Sequence, residues 1–226
     1  MLLDWLFSPQ CAACSSRATT LCEPCAASLL ELGAACSRCA EPTDSAICRR
    51  CTREPLPLDR ILAPWRFGGQ LASAIRRLKF ANATHIARDL APLWAPLLAA
   101  VVGVNDAIVV PVPLHWRRRW VRGYDHAWLL ALHGCAAAGI APPRNLLRRI
   151  RGAPPQSTLP AAARRDNLLG AFSVRDPRLI AGRAIVLVDD VVTTGSTLAA
   201  CARPLRAAGA TAVFGVALAR ASSAPG

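Results

Sequence analysis

Short apolar runs bounded by polar or glycine-rich turns recur along this 226-residue chain. The sharpest covers residues 184–188, Ala-Ile-Val-Leu-Val, which predicts a fully buried strand. It delivers Asp189 and Asp190 to its C-terminal edge, passes through Val191, Val192, Thr193, Thr194 and Gly195, and opens a helix near Ser196 and Thr197. Residues 108–112 read as a second buried strand running into a loop fixed by Pro113, Leu114 and His115. Residues 60–67 before the Gly68-Gly69 turn, and residues 211–218 near the end, complete the strand set. Helical spacing lies between them. Leu71, Ile75 and Leu78 fall at i, i+4 and i+7, with Arg76, Arg77 and Lys79 off the apolar stripe. A second helix is expected from Thr84 to about Ala100, and a third with Tyr124, Trp128, Leu132 and Cys135 on its buried face. Leu198, Cys201 and Leu205 mark one more, which Pro204 should kink at a local cost of about 3 kcal/mol. Such strand–helix alternation predicts an α/β fold with a twisted, largely parallel sheet flanked by helices.

In open α/β sheets the C-terminal strand edge is where ligands bind. A hydroxyl-rich turn at a helix N-terminus cradles a phosphate, because unpaired N–H groups and the helix dipole both favour an anion. Asp189 and Asp190 accept hydrogen bonds only, which suits the hydroxyls of a sugar or the waters of a bound Mg²⁺. A Walker loop is excluded, since Lys79 is the only lysine and no Gly-Lys-Ser/Thr occurs. No Gly-x-Gly-x-x-Gly is present either.

The first 58 residues differ in kind from the rest, which suggests a small module at 1–58 and a larger domain at 59–226. Eight of the ten cysteines form Cys-x-x-Cys pairs: Cys11/Cys14, Cys22/Cys25, Cys36/Cys39 and Cys48/Cys51. Each pair can grip one side of a metal, and two complete a tetrahedral sulfur shell suited to structural Zn²⁺. Short loops favour sequential pairing into two sites, although interleaved pairing also satisfies the spacing. Metal spacing implies a reducing, cytoplasmic setting, and residues 1–7, apolar but bearing Asp4 and no basic flank, read as a packing helix. Residues 90–104 are too short for a membrane span and are interrupted by Pro92 and Pro96. Residues 54–58, with alternating prolines, read as a stiff linker.

Charge separates the two parts as well. Residues 1–58 hold five arginines against six carboxylates, so the +13 of the chain comes from the remainder, at +14. Within it Arg117, Arg118, Arg119 and Arg122 alternate with Trp116 and Trp120, a mixture of phosphate-binding guanidiniums and stacking faces suited to pyrophosphate or single-stranded nucleic acid. The same residues also fit a rim of solvated arginines around core indoles. Residues 142–169 are rich in proline and arginine, and a segment of that length inside a compact domain reads as a lid or a disordered excursion. Residues 221–226 read as a frayed tail.

The strand with Asp189-Asp190 and Thr193-Thr194-Gly195-Ser196-Thr197 is similar to the phosphoribosyl-diphosphate (PRPP) motif of type I phosphoribosyltransferases. Together with the cysteine pairs, Leu-Lys-Phe, Val-Pro-Val-Pro-Leu-His, Arg-Gly-Tyr-Asp-His, Pro-Gln-Ser-x-Leu and Arg-x-x-Asn, it makes the chain resemble the ComF family over nearly its whole length. The resemblance implies a double zinc ribbon before a type I phosphoribosyltransferase-like domain, PRPP with Mg²⁺ as ligand, and links to natural transformation, single-stranded DNA and other competence proteins. It implies a catalytic role for Asp189 and Asp190, a pyrophosphate loop at Pro113, Leu114 and His115, and a lid carrying Gln156, Ser157, Arg164 and Asn167. Asp125-His126 departs from the Asn-Gln usual in the family. On these grounds three functions compete: a phosphoribosyltransferase, a competence factor binding single-stranded DNA, and a regulator that keeps the ligand and has lost the chemistry.

Overall fold

The computed structural model describes residues 10–17, 21–114, 123–150 and 170–222. The expected helix at residues 1–7 lies outside them.

The cysteine-rich module is one local design used twice. In each copy the first pair sits in a tight turn closed from Ser15 N to Cys11 O (3.1 Å), or from Ala40 N to Cys36 O (2.9 Å). Ser15 and Ala40, each just after the second cysteine, take left-handed φ of 67° and 58°. The second pair straddles the start of a short helix: α1 (Glu23–Ala27) is capped by Cys22 and contains Cys25, and α2 (Arg49–Arg53) is capped by Cys48 and contains Cys51.

The rest is a parallel sheet with helices on both faces. The strands β1 (Arg60–Leu62), β2 (Trp65–Arg66), β3 (Ile108–Pro111), β6 (Ala184–Val192) and β7 (Ala212–Arg220) take the order β1–β7–β6–β3, with β2 also on β7. Every pairing in this sheet is parallel. A separate antiparallel pair joins β4 (Leu147–Arg149) to β5 (Phe172–Val174). Alternate residues of β6 enter different cores, since successive strand side chains point to opposite faces. Val186 and Val188 pack with α3 (Gly69–Phe80), α4 (His85–Leu90), α5 (Ala95–Asn105) and α6 (His126–Ala138). Ile185 and Leu187 pack with α7 (Ser196–Ala207) and the β4–β5 hairpin. Burial on both faces explains why the run is apolar without alternation.

Several elements depart from the sequence expectation. The helix expected over 84–100 is broken: α4 ends in a 3₁₀ turn at Ala91–Leu93, and α5 leaves with a 69° bend, where Pro92 and Pro96 lack the N–H that a continuous helix needs. Among the described residues no single helix is long and apolar enough to cross a membrane. The strand expected over 60–67 divides into β1 and β2 around Ala63-Pro64. On α6 the buried face is Ala127, Leu130, Ala131, Gly134 and Cys135, while Leu132 is exposed and Trp128 half-buried. Only Cys135 of the expected helical set is fully inside. The reason is close packing on α5's leading indole: a Cβ at Gly134 would lie 2.5 Å from Trp94 Cζ2, so small residues set this face.

Within residues 54–58, Glu54 and Pro55 are exposed while Leu56, Pro57 and Leu58 are at least half-buried. Leu58 is buried, Leu56 contacts both the second cysteine cluster and the sheet, and Asp59 N donates to Val213 O. Further ties hold the ribbons to the sheet edge. Arg77 Nη1 donates to Cys11 O and Ala12 O, Ile61 N to Arg38 O, and Leu32 N to Pro64 O.

Candidate functional site

Strand β6 runs through both aspartates to Val192, four residues beyond its last pairing with β3 at Val188. The carboxylates therefore stand where β3 has already peeled away into its proline loop. As neighbours on a strand they leave it on opposite faces, yet one oxygen of each lies within 4.8 Å of the other and of a His126 nitrogen. Asp190 faces the α3 and α6 side and is buried, at 4% side-chain exposure. Its Oδ2 lies 2.8 Å from Lys79 Nζ and 3.1 Å from His126 Nε2, and its Oδ1 accepts from Val191 N at 2.6 Å. Burial opposes its ionisation, but His126 and Lys79 outweigh that and hold the carboxyl well below the usual range. Burial would keep His126 neutral, yet the Asp190 charge beside it raises its pKa.

Asp189 is the contrasting member of the pair. Its Oδ1 accepts from Asp190 N at 2.9 Å, and it is half-buried. Burial, reinforced by the Asp190 charge, pushes its carboxyl up to about 7. Its charge reaches both His126 and, on α7, Cys201.

That loop is built for close approach. Gly195 caps α7 with φ +76°, and a Cβ there would meet Ile61 Cδ1 and Leu56 Cδ1 at 3.0 Å. Both the backbone conformation and the space demand glycine. Thr194 Oγ1 and Ser196 Oγ stand 2.7 Å apart, beside the first N–H groups of α7, which have no carbonyl partner within the helix. From below, the wholly buried Arg220 at the end of β7 donates through Nη1 to Thr193 O and pairs through Nη2 with Glu41 of the second ribbon. One guanidinium thus bridges a zinc module and the glycine loop.

Asp125, in the Arg-Gly-Tyr-Asp-His stretch, is the N-cap of α6. Its Oδ1 accepts from Ala127 N and Trp128 N, and its Oδ2 from Leu114 N at 3.1 Å. It ties the Pro113–Leu114 loop to the helix that presents His126. Tyr124 OH donates to Leu78 O, fastening the same corner to α3 next to Lys79. Lys79, His126, Asp125 and Arg220 were not among the site residues read from sequence. Two signals were available: Lys79 is the chain's sole lysine, and an Asp opening an apolar helical run marks an N-cap. His115, Trp116, Arg117, Arg118, Arg119, Trp120, Arg122, Gln156, Ser157, Arg164 and Asn167 lie outside the described residues.

The cysteines gather as Cys11/Cys14/Cys22/Cys25 and Cys36/Cys39/Cys48/Cys51, the sulfurs of each set within 4.8 Å of one another. Sequential pairing is therefore the arrangement present. Cys14 Sγ–Cys22 Sγ and Cys39 Sγ–Cys48 Sγ are 3.6 Å, far beyond a disulfide bond and close to the ~3.8 Å edge of a tetrahedron with ~2.3 Å Zn–S bonds. Burial opposes ionisation of Cys11, but the N–H groups of Cys14, Cys22 and Ala13 prevail and bring it to about 6. The same balance, with N–H groups of Cys48, Cys39 and Arg38, brings Cys36 to about 6. Burial and the neighbouring sulfurs push Cys25 and Cys51 up. Four crowded sulfurs of which some ionise and others resist suit a divalent cation, and the two sets fit two structural zinc sites.

His126, Asp189 and Asp190 also converge within 4.8 Å. Lys79 shares Asp190 Oδ2 with His126, so this cluster carries its own cation and does not fit a resident divalent metal.

Comparison with known proteins gives two family matches. Residues 2–56 match the family described as double zinc ribbon domain, and residues 134–225 match the phosphoribosyl transferase domain. The chain is 33% identical over 202 residues to the DNA utilization protein YhgH of Salmonella typhi, covering 85% of this chain and 87% of that one. It is 33% identical over 173 residues to competence protein F of Haemophilus influenzae, covering 72% and 73%. Competence protein ComFC of Bacillus subtilis is 26% identical over 195 residues, covering 82% and 77%.

Proposed function

The chain belongs to the ComF family, a double zinc ribbon followed by a phosphoribosyltransferase domain, and from that membership we propose that it binds PRPP at the β6–α7 edge and transfers the phosphoribosyl group with release of pyrophosphate. One observation carries the reading: a half-buried carboxylate and a hydroxyl-lined glycine loop at a helix N-terminus stand together at one strand edge. Asp189 accepts from the ribose hydroxyls. Asp190, held by Lys79 and His126, fixes the strand end from the opposite face. The loop from Thr193 to Thr197 takes the 5′-phosphate on backbone N–H groups and hydroxyls. Pro113, Leu114 and His115, with the arginines of residues 117–122, hold the pyrophosphate. Mg²⁺ arriving with PRPP supplies charge neutralisation of the leaving group. Loss of pyrophosphate leaves an oxocarbenium-like C1, so catalysis rests on positioning and electrostatics, with the lid segment around Gln156, Ser157, Arg164 and Asn167 excluding water.

A second reading is a cytoplasmic competence factor that handles single-stranded DNA and uses the PRPP pocket as a sensor. It is favoured by the names of the relatives and by the +14 charge of the larger domain. Calorimetry separates binding from chemistry. Millimolar PRPP with Mg²⁺ should raise the melting temperature, since ligand at a hundred times its Kd adds about 2.7 kcal/mol. Asp189→Asn with Thr194→Ala should abolish the rise, and an unchanged wild-type curve would remove the assignment. Pyrophosphate release from PRPP with a panel of nucleobases then tells turnover from sensing.

A further inference from the structure

Beside the Pro113–Leu114 loop, between the start of α6 and the β4–β5 hairpin, lies a cavity of about 570 Å³. That is within the 300–1,000 Å³ span of small-molecule clefts. Its lining includes Trp128, Asn145, Arg148, Arg149 and Arg175, with Asp125 as the one acid. Pro113 and Leu114 line it as well, so it adjoins the proposed pyrophosphate loop, but neither the aspartate pair nor the glycine loop is part of its lining, and a ligand held here does not need the groups proposed for the ribose and 5′-phosphate.

Two of these guanidiniums have no carboxylate partner among the described residues. Asp125 has both oxygens engaged by backbone N–H groups of Ala127, Trp128 and Leu114. Among the described residues no carboxylate pairs with Arg148 or Arg175. Both are nevertheless held in place through Nε: Arg148 donates to Ser173 Oγ at 2.8 Å, and Arg175 to Leu147 O at 3.3 Å. Their Nη groups form the fork that suits a phosphate. A bare anion would need no more, but the cavity also offers a half-buried indole at Trp128 and a carboxamide at Asn145. An indole gives a stacking face, and a carboxamide both donates and accepts, as a base edge requires. We propose that this cavity is a nucleotide site, with the base against Trp128, its edge on Asn145, and the phosphate on Arg148 and Arg175. Two sources carry that chemistry: a free mononucleotide, or one residue of a single strand.

The test is calorimetric titration of the full-length, zinc-loaded protein with thymidine 5′-monophosphate, thymidine, inorganic phosphate and an oligothymidylate. The mononucleotide should bind at least tenfold more tightly than thymidine or phosphate. Arg148→Ala with Arg175→Ala should weaken it at least tenfold without changing the melting curve, since both side chains are exposed. Trp128→Leu should do the same and Trp128→Phe should restore part of the loss. Asp189→Asn with Thr194→Ala should leave this binding intact, which separates it from the groups proposed for the ribose and 5′-phosphate of PRPP. Binding by oligothymidylate with the mononucleotide silent, and with the same arginine dependence, assigns the site to a strand residue. The proposal is overturned if phosphate binds as well as the mononucleotide, if the arginine pair has no effect, or if neither nucleotide probe binds at millimolar concentration.

Discussion

Asp189 and Asp190 are chemically identical, adjacent, and opposite in behaviour. Asp190 Oδ2 is paired with Lys79 and His126, while Asp189 accepts from the Asp190 N–H and its charge reaches Cys201 on α7. Asp189 is held at about 7, above the unfolded carboxylate value, so its ionisation costs folding stability, and that stability is lost as pH rises through about 7. Ligand binding runs the other way. Sugar hydroxyls donate best to the ionised carboxylate, so PRPP affinity should rise between pH 6 and pH 8. Asp189→Asn should flatten that dependence, leaving only the contribution of the phosphate's own ionisation near pH 6. Titration calorimetry across this range reads both slopes. Lys79→Met tests the other carboxylate. Removing one partner of a buried pair costs about 3–5 kcal/mol, and a side chain one-quarter exposed belongs at the low end, so urea unfolding should show a loss of about 3 kcal/mol. In that variant the remaining partner is His126. Its folded pKa is raised, so its support is present at low pH and disappears as pH rises through that pKa; the loss should deepen above neutrality. The motif Asp-Asp was legible in the sequence, but the division of labour between its members was not. It depends on Lys79, some 110 residues upstream, reaching the same oxygen as His126.

At the scale of elements, legibility followed locality. The two zinc knuckles, β3, β6, α3 and α7 are each specified by residues a few positions apart, and each was readable from spacing. The face of α6 was not, because Trp94 from a neighbouring helix decides which side must be small. The same holds for residues 54–58, whose prolines suggest a spacer while Leu56 and Leu58 are pulled into the core. Arg220 is the plainest case. It follows the strand read at residues 211–218 and carried no role in the sequence reading, yet it is buried between Glu41 and the Thr193 carbonyl. Glu41 lies two residues beyond Cys39, and Cys36 N donates to Glu41 O at 2.8 Å, so the second metal shell fixes the position of Glu41. Cys48→Ser should therefore release one zinc and also weaken PRPP binding, through Glu41 and Arg220. Cys22→Ser, in the ribbon without this contact, should release one zinc with a smaller effect on PRPP. Zinc content by elemental analysis, together with titration of PRPP into each variant, checks both; equal losses of affinity would show that general loosening of the module, and not the bridge, is responsible.

For the molecule as a whole, charge and architecture are divided along the same line. The ribbon carries −1 before metal, and each zinc-loaded set of four thiolates makes it more acidic, while the sheet domain holds +14. A polyanion should therefore engage residues 59–226 and avoid the ribbon. Phosphate contacts release counterions, so single-stranded DNA binding should weaken linearly in log Kd against log salt. Arg117, Arg118 and Arg119 lie two to four residues after His115 in sequence, so a strand held by them is expected at the rim where PRPP would deliver its pyrophosphate. DNA and PRPP should then compete. Changing the three arginines together to alanine should reduce the salt slope by up to about two units, at roughly 0.7 per phosphate contact on a single strand. Trp116→Ala or Trp120→Ala should cost about 1–3 kcal/mol of DNA binding where a base stacks. A melting curve for each variant distinguishes lost stacking from lost folding. DNA binding that survives in the triple arginine variant with its salt slope unchanged, or that resides in an isolated 1–58 fragment, would return this cluster to a solvated rim.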